Sequence, residues 1–542
     1  MISIKSLPFY LTLINHVLDY GNCVIITTPL GKINGTTTTS RLGRTIYSFR
    51  GIRYAEPPIG ELRFQPPKPK SPWKDVYDAT EDGPVCPQPT ESPQSEDCLI
   101  LNVYTTKLPE ANRNPKRPVI VYIHAGGFYS VGSSSVWTGP NYYLDQDIVL
   151  VTVNYRLATL GFLSTGTKEA PGNNGMKDQV EALKWIKKNI ASFGGDPDSV
   201  TIQGYSAGGF SAILHMISPM SQGLFHKAVA MSGSPLGPFP TGRNQLQLAK
   251  KQSGIVGCPN VTISEMITCL KSVPYQKLGN SLPQFFEFGN NPILIWYPVI
   301  EDDFGQERFL TEHPMRSIMA GKFQKLPLIT GITEFEFGYR AYDVLRNSTL
   351  LNELNSNFEE TAPTAFTLGG VTEHNNVISR ALKKFYFNNE AISQSKLENL
   401  SNLFADSVIG FGVNRAAKLV SQKSDKPVYY YKFNFKGRYS HFHLPNSNET
   451  IGAVHHDDLL YLFYAGIYPE VEMVSTLTTI YANFAKSGNP IPADNPNFKG
   501  VHWEPYTVRK NNYLDIGHNL TEKTNLYENR YREWEKLYPL DQ

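Results

Sequence analysis

Apolar positions along the chain fall into two textures. Residues 119–123 (Val-Ile-Val-Tyr-Ile) and 148–153 (Ile-Val-Leu-Val-Thr-Val) are short, nearly unbroken apolar runs. Strands of that kind are buried on both faces, as in a parallel sheet. Residues 228–231, 328–330 and 428–435 read the same way. Between them the period changes. Over 178–192, Val180, Leu183, Ile186 and Ile190 recur at helical spacing, and Gly194-Gly195-Asp196-Pro197 ends that helix. Residues 200–202 form the next strand and 207–217 the next helix. Strand and helix alternating through tight turns predict an α/β fold, a large central, mostly parallel sheet flanked by helices. The first hundred residues instead alternate short strand-like runs, such as 45–49, with Gly/Pro turns. Segments 245–323 and 345–421 look helical and loop-like. They are expected as insertions over the C-terminal edge of the sheet, where open α/β folds place their sites.

Composition narrows the function classes. The 542 residues carry 51 Lys plus Arg against 49 Asp plus Glu, a net charge of +2 that argues against a nucleic-acid partner. A hydrophobic share of 41% suits a large core, and no 18-residue window is apolar enough to predict a membrane span. Lys5 followed by the apolar stretch 7–14 resembles a degraded secretion signal. Asn15 and His16 interrupt it, and no small-residue cleavage site follows. The expected organisation is a signal-like or flexible segment over 1–23, one domain over 24–538 and a tail over 539–542. Cys86 with Cys98, and Cys258 with Cys269, bracket short loop-like intervals beside Pro87 and Pro259. Two local disulfides and a leftover Cys23 are expected. Neither interval has zinc-ligand spacing. Sequons at Asn34, Asn260, Asn347, Asn399, Asn448 and Asn519 lean toward secretion.

The strongest chemical signal is Gly204-Tyr205-Ser206-Ala207-Gly208. It directly follows one predicted strand and opens a predicted helix. A serine on so tight a turn projects above the sheet, its neighbours being glycine because side chains there would collide. His124-Ala125-Gly126-Gly127-Phe128 follows the 119–123 strand, and its glycine pair lets backbone N–H groups face a developing oxyanion. Together with the N–H of Ala207, Gly126 and Gly127 are the expected donors. A serine nucleophile needs a base and an orienting carboxylate. Spacing offers His455 or His456, in His455-His456-Asp457-Asp458, and Glu334 or Glu336, after the 328–330 strand. It does not choose within either pair.

These segments resemble the carboxylesterase/cholinesterase family of α/β-hydrolases, with insect carboxylesterases nearest. The resemblance runs from about Val24 to Tyr538. It rests on the run 49–64 (FRGIRYAEPPIGELRF), the run 95–102 (SEDCLILN), the elbow segment 193–209 and the run 457–463 (DDLLYLF). It implies Ser206 as nucleophile, Glu336 as acid and His455 as base, with no metal or cofactor and a small-molecule ester as substrate. It supports the Cys86–Cys98 pairing and implies two structural ion pairs, Arg63 with Glu96 and Arg156 with Asp196. Phe128 and Tyr205, beside the serine, are expected to line the substrate pocket. Oligomeric state stays open.

The chain also departs from the family pattern. Ala125 and His456 stand where glycine is usual, and Tyr205 where an acid is frequent before the serine. The Cys86–Cys98 loop holds no tryptophan. Cholinesterase-like members use a tryptophan there and an acid before the serine to hold a quaternary ammonium, so neutral esters are the expected substrates. The competing expectations are a non-catalytic binding or adhesion protein on the same fold and a specialised juvenile-hormone-esterase-like hydrolase. Against the first, all three triad positions are filled. Against the second, the elbow lacks the Gln typical before that serine.

Overall fold

A computed structural model describes residues 23–110, 113–239, 241–242, 244–369, 373–444 and 449–540. The signal-like reading of 1–23 therefore lies, apart from Cys23, outside the described residues, as does the sequon at Asn448. Among the described residues thirteen strands join one sheet. They are β1 (Val24–Thr28), β2 (Gly31–Thr39), β3 (Thr45–Arg53), β4 (Tyr77–Asp78), β5 (Ile100–Thr105), β6 (Arg117–Ile123), β7 (Val149–Val153), β8 (Gly195–Tyr205), β9 (Lys227–Met231), β10 (Leu328–Thr333), β11 (Val428–Phe433), β12 (Asn512–Ile516) and β13 (Leu520–Thr524). The order across the sheet is β1-β2-β3-β5-β7-β6-β8-β9-β10-β11-β12-β13, with β4 beside β2. From β7 to β12 every neighbouring pair is parallel, and the pairs outside that block on the main path are antiparallel.

The unbroken apolar runs are these central strands. Every residue of β7, β10 and β11 is buried, because helices cover both faces. The helix Ala207–Ile217 is buried along its whole length, and Asn174–Asn189 exposes little beyond its lysines. No strand of the described residues falls in 245–323 or 345–421, which hold helices as expected. The apolar pattern does not foretell the β12–β13 hairpin. The sequence of β13, Leu-Thr-Glu-Lys-Thr, is almost wholly exposed at the sheet edge and carries no buried face to leave a signal.

Register brings the chemistry to one edge. Ile123 pairs with Gly204, Tyr205 with Met231, and Met231 with Gly331. The segments leaving β6, β8, β9 and β10 thus emerge side by side at the C-terminal end of the parallel block. Disulfides join Cys86 to Cys98 and Cys258 to Cys269, with Cα atoms 5.1 and 5.7 Å apart, and Cys23 is free and exposed. Arg63 and Glu96 form the expected buried ion pair, at 2.5 Å. Arg156 does not pair with Asp196. Its guanidinium meets Asp178 at 2.6 and 2.8 Å, with both side chains almost fully buried. Asp196 is half-exposed at the start of β8 and accepts the Asp198 N–H instead. Asp178 lies in the second turn of the Asn174–Asn189 helix, where it also takes the Arg156 backbone N–H.

Candidate active site

From Val200 to Ser218 every residue is buried except Ser206. The chain turns there at φ 55°, ψ −115°, outside the regions that L-residues ordinarily occupy. The Ser206 N–H donates to the Met231 carbonyl on β9 at 2.8 Å, and the Ser206 carbonyl accepts from Phe210 at 2.8 Å. Two glycines make the turn possible. A Cβ on Gly204 would run into the Gly208 carbonyl, and one on Gly208 into the carbonyl of Ile123 on β6. The serine is therefore presented at the mouth of the Ala207–Ile217 helix, whose N-terminus favours negative charge.

The loop leaving β6 passes beside it. Gly126 and Gly127 have φ of 107° and 58° and keep partial exposure. The Gly126 carbonyl is tied back by the N–H groups of Tyr129 and Ser130, both at 2.9 Å, which leaves its own N–H face open. None of the N–H groups of Gly126, Gly127 and Ala207 donates to a carbonyl among the described residues. Before them His124 is buried, stacked on Tyr155 at 4.3 Å, and burial lowers its pKa to about 4, so it is a neutral structural ring.

Glu336 and His455 are brought together from the ends of β10 and β11. The carboxylate Oε2 lies 2.5 Å from His455 Nδ1, and Oε1 accepts from the Ser232 hydroxyl and the Thr333 N–H, each at 2.7 Å. The backbones are zipped as well, His455 N–H to Glu336 O and Phe335 N–H to Ala453 O, both 2.9 Å. Asp457 braces the loop by accepting from Val454 N–H, Ser440 Oγ and His441 N–H at 2.7–2.9 Å. Burial pulls the His455 imidazole below its ordinary pKa and lifts the Glu336 carboxyl, while the hydrogen bonds from Ser232 and Thr333 oppose that lift. His455 Nε2 is buried without a partner, and no hydrogen bond links it to Ser206. The alternatives separate by geometry. Glu334 is partly exposed and faces Lys432 at 3.8 Å, whereas Glu336 is fully buried against His455.

His456 adopts φ 82°, the left-handed region that explains why glycine is usual at this place. Its ring lies 4.4 Å from that of His455 and 5.6 Å from that of His441. Its backbone N–H donates to the Tyr205 hydroxyl at 2.8 Å. Tyr205 is wholly buried, its ring 5.0 Å from His455 and 4.9 Å from His456, so it supports the histidine loop rather than lining a pocket. Phe128 is also wholly buried, packed on Phe162 and Phe210 at 5.0 and 5.5 Å, and offers a substrate no surface. Residue patterns missed Ser232 and Thr333, which hold Glu336, and Phe337, whose ring lies 4.1 Å from His455. Their positions at or just beyond the ends of β9 and β10 were the only available signal. Among the described residues no group of three or more His, Cys, Asp or Glu could hold a metal ion, and no helix is long and apolar enough to cross a membrane.

The arrangement can draw a proton from a serine hydroxyl and shelter an oxyanion. The comparisons with known proteins point to ester hydrolysis. The model of the carboxylesterase family matches residues 22–534. Esterase FE4 of Myzus persicae is 38% identical over 480 residues, covering 85% of this chain and 84% of that protein. Juvenile hormone esterase of Tribolium castaneum is 36% identical over 509 residues, covering 89% and 86%. The crystal structure of juvenile hormone esterase from Manduca sexta, with OTFP covalently attached, superposes with a TM-score of 0.84 at 28% identity, covering 95% of this chain and 99% of that one. With an α/β-hydrolase sheet, a serine elbow and a glutamate-held histidine at one edge, this chain belongs to the carboxylesterase family and is a carboxylic-ester hydrolase.

Proposed function

We propose that the chain cleaves carboxylic esters through an acyl-enzyme on Ser206, and that its substrates carry no positive charge. The observation that carries this reading is His455. It is held through Nδ1 by a buried glutamate while its Nε2 stays without a partner, in a site where Ser206 is the one accessible residue of its elbow. In this mechanism His455 Nε2 takes the hydroxyl proton as Ser206 Oγ attacks the ester carbonyl. Glu336 holds the tautomer and stabilises the imidazolium. The N–H groups of Gly126, Gly127 and Ala207 receive the oxyanion, each donor lowering the barrier by about 3 kcal/mol. His455 then protonates the departing alcohol. In the second half it activates the water that releases the acid and restores Ser206.

Against cationic esters stand the missing tryptophan in the Cys86–Cys98 loop and the buried, hydrogen-bonded Tyr205 in place of an acid. We also propose that the protein works in an oxidising, extracytoplasmic compartment. Two disulfides and exposed sequons at Asn260, Asn347, Asn399 and Asn519 support that. The test is turnover of a short-chain p-nitrophenyl ester before and after an organophosphate, with the labelled peptide mapped. Turnover lost with a single adduct on Ser206 is expected, and Ser206→Ala should lower kcat by roughly four to six orders of magnitude. A folded protein with neither turnover nor adduct would overturn the reading.

A further inference from the structure

The helix Tyr339–Arg346 begins directly after the turn that carries Glu336 and sets Arg340 beside the site. Arg340 is only 8% exposed, and its Nε is buried with no hydrogen-bond partner. Neither terminal nitrogen is both buried and without a partner in this way. Among the described residues no carboxylate comes within ion-pairing distance of it. Asp343, three residues on, is exposed and feels the charge without meeting it. The guanidinium also acts on the phenols of Tyr129 and Tyr339, and the Tyr339 ring lies 5.8 Å from it.

Both tyrosines belong to the site. Tyr129 sits on the loop of Gly126 and Gly127 and covers Gly127 so closely that a Cβ there would strike its ring at 2.6 Å. Tyr339 is 6.1 Å from Phe337, whose ring lies 4.1 Å from that of His455. The guanidinium thus lies close to the Tyr339 ring, which neighbours the ring packed on His455, and its charge reaches Tyr129 on the glycine loop. A cation so largely buried, with its nearest acidic charge, Asp343, out of ion-pairing contact, gains from a carboxylate that meets it directly. A planar guanidinium fork matches a carboxylate, which it binds through two parallel hydrogen bonds.

We propose that Arg340 forms a substrate subsite beside Ser206 that holds a carboxylate borne by the ester, so that the favoured substrates are anionic half-esters or esters with a carboxylate on the alcohol side. This rests on the serine-esterase reading and extends it. The same charge would repel a cationic ester, independently of the missing tryptophan. The effect should appear mainly in KM, because the carboxylate is bound alike before and during attack.

The test compares matched esters with and without a carboxylate. On the acyl side these are p-nitrophenyl hydrogen glutarate and p-nitrophenyl pentanoate. On the alcohol side they are 4-acetoxybenzoate and phenyl acetate. Arg340→Gln should lower kcat/KM roughly 10- to 100-fold for at least one carboxylate ester, with its neutral partner within about threefold of wild type. Arg340→Lys should retain part of the preference, because it keeps the charge and loses the fork. An unchanged anionic-to-neutral ratio in Arg340→Gln on both sides would overturn the subsite. So would equal losses on charged and neutral esters, which would mark Arg340 as structural. If folded wild-type protein hydrolyses none of the four, the esterase reading itself fails and the subsite with it.

Discussion

Tyr205 is the residue through which the elbow and the histidine loop are joined. It immediately precedes Ser206, yet its hydroxyl accepts the backbone N–H of His456 across the site at 2.8 Å. Its ring packs against both histidine rings, and burial raises its pKa far enough that it stays protonated. The hydroxyl sits close to Ser232 and Asp458, and Ser232 in turn donates to Glu336. One phenol thus links the supports of the proposed acid and base to the turn of the proposed nucleophile. Tyr205→Phe should leave the ring packing intact and release the His456 N–H, which costs about 1–3 kcal/mol of stability for the orphaned donor. Because small displacements of a reacting group are expensive, kcat should fall roughly 10- to 100-fold with KM little changed. Steady-state kinetics beside thermal unfolding decide the point. A lowered Tm with unchanged kcat would make Tyr205 a packing residue and nothing more.

At the scale of elements, the contact that holds the segment after β7 to the helix Asn174–Asn189 is the buried Arg156–Asp178 pair. Arg156 Nε and a terminal nitrogen grip both carboxylate oxygens, Nη1 reaches the Gln65 carbonyl at 2.8 Å, and the Arg156 N–H caps the arrangement. Removing one partner leaves a buried charge uncompensated, so Asp178→Ala should destabilise by roughly 3–5 kcal/mol. Asp196→Ala, at a half-exposed position, should change stability by less than about 0.5 kcal/mol. Denaturant unfolding of the two variants separates them, and the reverse order would restore the family-derived pairing. The error is instructive about what a sequence shows. The central strands and the Asn174–Asn189 helix are legible because two-face burial and helical periodicity write themselves into local composition. The elbow is legible because its glycines are demanded by backbone collisions. Partner choice is not. Nothing local distinguishes Asp178 from Asp196, or Ser232 from other serines, since each is selected by strands and helices that meet only after folding. Tyr205 directly precedes Ser206 and Phe128 directly follows Gly127, but β8 and the β6 loop turn both side chains inward.

For the whole molecule, stability against pH is a sum of buried groups that pull in opposite directions. Asp458, buried beneath the histidine loop with its pKa raised to about 8 by burial and by the nearby Glu336, takes up its proton in the folded state first, so its contribution grows as pH falls through that value. His215 does the opposite. It is fully buried, its Nδ1 against Ser221 Oγ at 2.7 Å and its Nε2 against Gln179 Oε1 at 2.9 Å, with Phe309 edge-on at 5.3 Å. Burial lowers its pKa from 6.5 to about 3. Below 6.5 the unfolded chain protonates this ring and the folded chain does not. The stability it contributes is therefore complete above 6.5 and is lost as pH falls toward the folded value, at about 1.4 kcal/mol per pH unit. Because other groups oppose it, the wild-type curve alone cannot reveal this slope, but a difference can. His215→Gln, which cannot titrate, should be less stable than wild type above pH 7, since it gives up fitted hydrogen bonds. The gap should then close steadily as pH drops below 6.5, and unfolding of both proteins across that range measures it. Parallel curves would mean that His215 is protonated in the folded state as readily as in the unfolded one. Its depressed pKa, and the buried seat between Ser221 and Gln179 that causes it, would then have to be abandoned.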